Sequence, residues 1–133
     1  LKLIQIPDKK ELRKWLNTEN TFSYIAEDNE QVIAVLKGIR GKDSGTRHAA
    51  YLSEATHPDY RNTDTDLALT SFALEDMKQD GVSLARVNVF SDNLVSLKTL
   101  LSLGFTISGT VFRHHYSEKI QQYVDDFILH KLL

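Results

Sequence analysis

The sequence predicts an α/β domain built on a central mixed sheet of about six or seven strands, with helices on both faces. Two observations favour this class. Runs rich in β-branched and aromatic residues alternate with runs of helical periodicity, in the order strand, helix, hairpin, strand, helix, strand, helix, strand, strand. The 133 residues suit one domain, and only two prolines, Pro7 and Pro58, restrict the length of its elements.

The chain opens with a predicted strand and a predicted helix. Residues 1–6 alternate with the period of a short strand. Pro7 suits the first turn of a helix, and the apolar positions after it recur at i, i+3 and i+4, so they form one stripe that faces a core. That stripe consists of Leu12, Trp15 and Leu16.

A hairpin, a loop and a further strand are predicted next. Residues 22–26 and 32–36 are rich in strand-forming side chains and flank a polar turn without glycine. Residues 38–45 contain three glycines among charged residues, which predicts an exposed loop. Residues 48–56 form the following strand, which ends before Pro58 because proline cannot donate a hydrogen bond to a ladder.

The second half of the chain alternates helices with strands. Gly81 and Gly104 each follow a stretch of helical periodicity, where glycine commonly ends a helix. In order, the predicted elements are a helix over residues 64–78, a strand over 82–90, a helix over 93–103, and strands over 105–116 and 123–132.

Composition excludes several classes of site. The absence of cysteine excludes disulfides, thiolate zinc sites, iron–sulfur clusters and a cysteine nucleophile. A net charge of -2 with dispersed basic residues indicates no nucleic-acid partner, and no apolar run reaches the ~18 residues of a membrane span. His114 and His115 are adjacent on a predicted strand and should point to opposite faces, so we expect no metal site. We therefore expect a cytoplasmic protein without metal or membrane partner.

The start of the chain carries a separate expectation. Its first residue is Leu1 rather than methionine, so residues 1–133 are expected to be one domain that is either pared down at its start or cut from a longer protein.

Two motifs carry a family resemblance. Residues 55–61 (ATHPDYR) lead into the second predicted helix, and residues 93–96 (NLVS) are followed by Leu-Gly-Phe, with Gly104 eleven residues after Asn93. In this order and spacing they resemble the GNAT superfamily of acyl-CoA-dependent N-acetyltransferases. The resemblance extends over about residues 24–132, and its ending, residues 126–129 (DFIL), is similar to the last strand of that family. The chain also loosely resembles β-lysine N-acetyltransferases.

The resemblance implies a reaction and a binding site. An acetyl group would pass from acetyl-CoA, as cosubstrate, to the primary amine of a small molecule or a protein by direct attack. Backbone groups of Glu54, Ala55 and Thr56 would hold the pantetheine arm, and Asn93 and Ser96 would line its far side. The pyrophosphate would meet a loop and helix N-terminus made of Arg61, Asn62, Thr63, Asp64, Thr65, Asp66 and Leu67.

That phosphate loop is degenerate in this sequence. Asn62, Asp64 and Asp66 stand where the family prefers glycine or alanine. A carboxylate beside a pyrophosphate costs on the order of 1 kcal/mol in water and more when desolvated. Two interpretations remain open. Thr63 and Asp66 could form a capping box that fills the helix's own anion site, or backbone N–H groups could accept phosphate with the aspartates turned away.

The catalytic positions of the family are also altered. Asn88 stands where a glutamate base is common, and Leu100 where a tyrosine acid is common; neither can transfer a proton. Glu54 is the substitute candidate for the base, unless it is merely a solvent-facing carboxylate, and Tyr51 for the acid, unless it is a packed aromatic. Arg86 and Asn88 share a strand face and could bind a substrate, although a structural ion pair is the simpler explanation of Arg86.

These departures leave two functions open. One is an active N-acetyltransferase. The other is a catalytically inactive GNAT-fold binding or regulatory domain with weak or no CoA binding. In either case the chain could form a homodimer or be fused to another domain.

Overall fold

A seven-stranded mixed sheet organises the computed structural model, which describes residues 1–5, 20–61 and 63–133. The sheet order is β1–β2–β3–β4–β5–β7–β6, and within it only β4 and β5 are parallel neighbours among the described residues. The strands are β1 (Lys2–Gln5), β2 (Thr21–Asp28), β3 (Gln31–Arg40), β4 (Ala49–Thr56), β5 (Leu84–Phe90), β6 (Thr106–Ser117) and β7 (Gln122–Leu132).

Two α-helices complete the described architecture. They are α1 (Thr65–Gln79), which links β4 to β5, and α2 (Leu94–Ser102), which links β5 to β6; a short 3₁₀ turn at Pro58–Tyr60 precedes α1. The predicted α/β class with a mixed sheet is confirmed. The helix predicted after Pro7 lies outside the described residues.

Both helices pack on the same face of the sheet. Residues paired across neighbouring strands share a face, which places Leu36, Leu52 and Val87 together. On that face the hydroxyl of Thr70 in α1 donates to Glu54, and Lys131 Nζ donates to the carbonyl oxygen of Leu103 at the end of α2, at 2.5 Å. A helix on the second face therefore remains a prediction for the part of the chain outside the described residues.

The core lies between this face and α1. Tyr24 is fully buried, and its hydroxyl donates to Asp76 Oδ2 of α1 at 2.6 Å. Burial and the neighbouring Asp76 carboxylate raise the pKa of Tyr24 far above its ordinary value. The phenol thus stays neutral, and its hydrogen bond fixes α1 against β2. Other buried members of the core are Phe22, Ala26, Leu36, Leu52, Leu69, Ala73, Met77, Leu100 and Leu129.

The predicted loop over residues 38–45 is wrong at its beginning, because β3 continues through Arg40. The reason is tertiary. A Cβ on Gly38 would lie 2.8 Å from Met77 Sδ and 3.4 Å from Leu52 Cδ2. Glycine at this position lets α1 approach the sheet, so the residue belongs to the core rather than to a turn.

Adding a methyl group at Gly38 should therefore destabilise the protein. We expect Gly38→Ala to lower the free energy of unfolding by about 1–3 kcal/mol through overpacking. Gly109 of β6 is the matched control, since a Cβ there meets nothing closer than 3.7 Å; Gly109→Ala should be neutral or stabilising by up to ~1 kcal/mol. Urea denaturation measures both, and equal effects would contradict the close-approach explanation.

Candidate active site

The parallel pair β4 and β5 separates halfway along its length. The two strands are in register from Ala49 opposite Leu84 to Leu52 opposite Val87, and no pair follows. Beyond that point β4 stays paired to β3 and β5 to β7 on their outer edges. The facing edges of residues 53–56 and 88–90 are therefore left without a strand partner among the described residues.

A cavity of about 250 Å³ lies at this gap. Its walls combine the diverging strands with the beginnings of both helices, so polar and apolar side chains meet in it. The lining residues are Leu36, Tyr51, Leu52, Ser53, Glu54, Asp66, Thr70, Val87, Asn88, Val89, Phe90, Asn93, Ser96, Thr99 and Leu100.

Two carboxylates, those of Glu54 and Asp66, meet on one wall of the cavity. Thr70 Oγ1 donates to Glu54 Oε2 at 2.9 Å, and the hydroxyl of Thr56 donates to Asp66 Oδ1. Glu54 is exposed to solvent at the cavity, but its carboxyl group lies against Thr70 and Asp66 of α1, which displace part of its hydration. This desolvation, together with the charge of Asp66, raises its pKa to about 8, against the lowering effect of the Thr70 hydrogen bond.

A carboxyl group with this pKa can exchange a proton near neutral pH. At pH 7 Glu54 is mainly protonated, and it becomes a base of useful strength as the pH approaches its pKa. Of the carboxylates predicted from sequence, Glu54 therefore has the environment that acid–base chemistry requires. Asp66 and Thr70 are the two neighbours that tune it.

The N-terminus of α1 lacks the capping box that Thr63 and Asp66 suggested. Asp64 occupies the N-cap position without a side-chain capping bond, and Thr63 Oγ1 accepts from the N–H of Thr65 at 3.3 Å. The capping-box interpretation is wrong because Asp66 turns away from the helix start and accepts from Thr56. Among the described residues no side chain caps the next N–H groups of the first turn. Asn62 lies outside the described residues.

On the opposite wall, α2 presents its own first turn. Asn93 Oδ1 accepts from the N–H of Ser96 at 3.3 Å, so Asn93 caps the helix. Both residues line the cavity. Leu100, also on α2, lines the cavity as well. It is buried and apolar and offers no proton to a leaving group.

The remaining predicted residues lie on the other face of the sheet. Tyr51 borders the cavity, but it points to the side opposite Glu54 because the two are three residues apart on one strand. Arg86 lies opposite Tyr51 in register, outside the cavity lining, and makes no salt bridge with a described residue. Asn88 lines the cavity, and its Nδ2 donates to Asp126 Oδ2 at 3.0 Å.

The contact between Asp126 and His114 was not predicted from the sequence, because it depends on an irregularity in β6. Pairing of β6 with β7 shifts between Val111 and His115, and Arg113 adopts φ +56° there. His114 Nδ1 consequently lies 3.3 Å from Asp126 Oδ2.

The same bulge overturns the expectation that His114 and His115 point to opposite faces. His115 stacks on Phe90, with 3.9 Å between ring centroids, and Phe90 pairs with Asp126 in register. Both histidines thus reach the same side of the sheet. In the part of the chain that the structure describes, no three His, Cys, Asp or Glu side chains are grouped for metal binding.

No helix among residues 1–5, 20–61 and 63–133 is long and apolar enough to span a membrane.

Comparison with known proteins gives a family and several structural neighbours. Residues 2–105 match the model of the acetyltransferase (GNAT) family. An acetyltransferase of the GNAT family from Streptococcus pneumoniae superposes with a TM-score of 0.82 at 21% identity, over 94% of this chain and 74% of that one. A ribosomal-protein-alanine N-acetyltransferase from Brucella melitensis gives 0.76 at 22% identity, over 95% and 79%.

A third neighbour was solved with a ligand. It is yncA of Salmonella typhimurium, described as an acetyltransferase with its cofactor acetyl-CoA, and it superposes with a TM-score of 0.77 at 19% identity, over 92% of this chain and 69% of that one. No curated protein sequence matches the chain. At these identities the neighbours establish the fold.

The raised pKa of Glu54 makes stability depend on pH. Between its ordinary value of 4.5 and about 8, the folded protein keeps a proton that the unfolded chain has released, so stability falls as pH rises through this window. Glu54→Gln removes this contribution. We expect the melting temperature of Glu54→Gln, relative to wild type, to increase progressively between about pH 5 and pH 9.

Thermal unfolding across that range measures the difference. Glu75→Gln, which removes one exposed carboxylate from the same protein, is the control for the loss of a charge. A difference between Glu54→Gln and wild type that stays constant with pH would contradict the raised pKa.

Proposed function

Because this chain belongs to the acetyltransferase (GNAT) family, as its motifs predicted, we propose that it transfers an acetyl group from acetyl-CoA to a primary amine. The observation that carries the proposal is the separation of β4 from β5. It leaves backbone edges and a cavity at the place where the family's resemblance puts the pantetheine arm.

Acetyl-CoA fits the residues around this gap. The amides of a pantetheine arm can pair with the open backbone edge of Glu54, Ala55 and Thr56, as an added strand would. Its pyrophosphate would meet the first turn of α1, where the backbone N–H groups of Asp66 and Leu67 have no side-chain cap among the described residues. The turn of Asp66 toward Thr56 supports this fit, because it directs that carboxylate away from the helix end.

The chemistry requires proton transfer at two atoms. The amine nitrogen forms a bond to the thioester carbonyl carbon, the carbon–sulfur bond breaks, the nitrogen loses a proton and the thiolate gains one. Glu54 is the proposed base, with Asp66 and Thr70 setting its pKa. Tyr51, on the face of the sheet opposite Glu54, is the proposed acid or a residue that lines the pocket of the acceptor amine. Arg86, on the same face as Tyr51, is available to bind a substrate carboxylate.

A specific observation also favours the second function, a non-catalytic binding domain. Leu100 places an apolar side chain in the cavity where family members often have the acid, and Asp64 leaves a carboxylate at the N-cap beside the proposed pyrophosphate position. Weak acetyl-CoA binding without turnover is the expected behaviour of such a domain.

Acetyl-CoA binding is the first test. We expect calorimetric titration at low salt to give a Kd below about 100 μM, or roughly 5.5 kcal/mol. Asp64→Asn should tighten binding severalfold, because it removes a like charge near the pyrophosphate. Asp43→Asn, in the loop between β3 and β4, is the matched control and should leave the affinity unchanged.

Two outcomes would contradict the proposed acetyl-CoA site. One is no detectable binding by wild type or by Asp64→Asn. The other is equal tightening by Asp64→Asn and Asp43→Asn, which would indicate a general charge effect instead of a pyrophosphate at the N-terminus of α1.

Turnover tests the role of Glu54. The structural neighbours include ribosomal-protein-alanine N-acetyltransferases from three bacteria and a phosphinothricin N-acetyltransferase, so an alanine-led peptide and free amino acids are the first acceptors to try. We expect Glu54→Gln to lower kcat by about 10²–10⁴-fold, as for loss of a general base.

The pH profile of the same reaction identifies the role. If Glu54 is the base, kcat/KM of wild type should rise toward a plateau with an apparent pKa near 8, and the rise should vanish in Glu54→Gln. Release of free CoA thiol measures the rate. Unchanged turnover in Glu54→Gln, with acetyl-CoA binding intact, would end this assignment.

A further inference from the structure

A buried carboxylate lies beside the cavity, on the face of the sheet opposite Glu54. Asp126 of β7 is 5% exposed, and its Oδ1 has no hydrogen-bond partner among the described residues. Its Oδ2 receives the Nδ2 of Asn88 at 3.0 Å and faces His114 Nδ1 at 3.3 Å. Burying a carboxylate costs free energy unless neighbouring groups donate hydrogen bonds to it. Packing alone therefore does not explain why Asp126 is buried here.

The carboxylate determines which way the Asn88 amide points. Asn88 presents its NH₂ to Asp126, because the amide nitrogen donates and Asp126 Oδ2 accepts. The Asn88 carbonyl oxygen is then left without a partner in the described chain, while the side chain lines the cavity. Because the hydrogen bond to Asp126 holds the Asn88 side chain, its amide group cannot rotate freely when a ligand enters the cavity.

We propose that Asp126 is a positioning residue that holds Asn88 so that the Asn88 carbonyl oxygen accepts an N–H of the acceptor amine. The inference rests on the proposed acetyl transfer and assigns the amine's own contact, which that proposal leaves open. An amide oxygen accepts from an amine in either protonation state, so it can hold the substrate before and after the proton leaves.

The surrounding residues suit this assignment. The β6 bulge brings His114 to the same Asp126 oxygen that accepts from Asn88, and it brings His115 onto Phe90, which lines the cavity with Asn88. Asn88 and Phe90 follow the last parallel pair of β4 and β5, so the contact lies where the strands separate. An amine held there is adjacent to the gap in which the thioester is proposed to lie, and such positioning lowers the entropic cost of attack.

A double-mutant cycle tests whether Asp126 acts through Asn88. With acetyl-CoA and an alanine-led peptide, we expect Asp126→Ala to lower kcat/KM for the peptide roughly ten- to a hundredfold and to leave the KM for acetyl-CoA within about twofold. Asn88→Ala should cause the same loss, and the double variant should be no worse than either. Asp126→Asn, which keeps an acceptor oxygen, should recover most of the activity.

Asp125→Asn is the matched control. It removes a charge from the neighbouring position of β7 but keeps an oxygen for the N–H of Arg113, and it should behave as wild type. Independent, multiplying losses from Asp126→Ala and Asn88→Ala would overturn the proposal. So would a parallel rise in the KM for acetyl-CoA, which would indicate a purely structural role.

A second measurement does not depend on turnover, so it separates this inference from the proposed reaction. The side-chain NH₂ resonances of Asn88, identified by their loss in Asn88→Ala, can be followed by NMR during titration with alanine amide. We expect them to shift in wild type and to respond at least about tenfold more weakly in Asp126→Ala. No shift in wild type, or an equal response in both proteins, would overturn the positioning role even if acetyl-CoA binds.

Discussion

The separation of β4 from β5 is the constraint on which the site depends. Each strand satisfies its outer edge, β4 against β3 and β5 against β7, so the two can diverge after Leu52 and Val87 without disrupting the rest of the sheet. The divergence opens a cavity and exposes backbone edges at the same point. It also determines which side chains face that cavity, because strand alternation sends Glu54 to the helix side and Asn88 to the other.

Electrostatics at the helix side follow from where α1 begins. The close approach of α1 at Gly38 and its hydrogen bond to Tyr24 fix the helix, which brings Thr70 and Asp66 against Glu54. Two carboxylates in one desolvated wall cannot both ionise easily, so the proton stays on Glu54 up to a pKa of about 8. The aspartate that looked like a defect in a phosphate loop is thus part of the environment that tunes Glu54.

Local rules in the sequence predicted the elements that local interactions determine. Gly81 and Gly104 both follow helices and adopt positive φ, at +90° and +92°. The misses arose where distant contacts decide. In the sequence Gly38 resembles a loop glycine, but α1 packs on it. Asp66 resembles a capping residue, but it accepts a hydrogen bond from Thr56 instead. The two histidines would point to opposite faces in a regular strand, but β6 contains a bulge there. Thr70 was within reach of sequence reasoning, since it follows Asp66 by one helical turn.

The two carboxylates of the site have environments that suit different tasks. Glu54 lies on the helix side, where desolvation of its carboxyl group and a second carboxylate on the same wall bring its pKa close to neutral pH. Asp126 is buried on the other side, beside an amide and an imidazole, and its hydrogen bond from Asn88 fixes the orientation of that amide. The strand gap lies between them. A substrate amine entering there would meet a group able to take its proton on one side and a fixed hydrogen-bond acceptor on the other, which is a division of roles that neither carboxylate could provide alone.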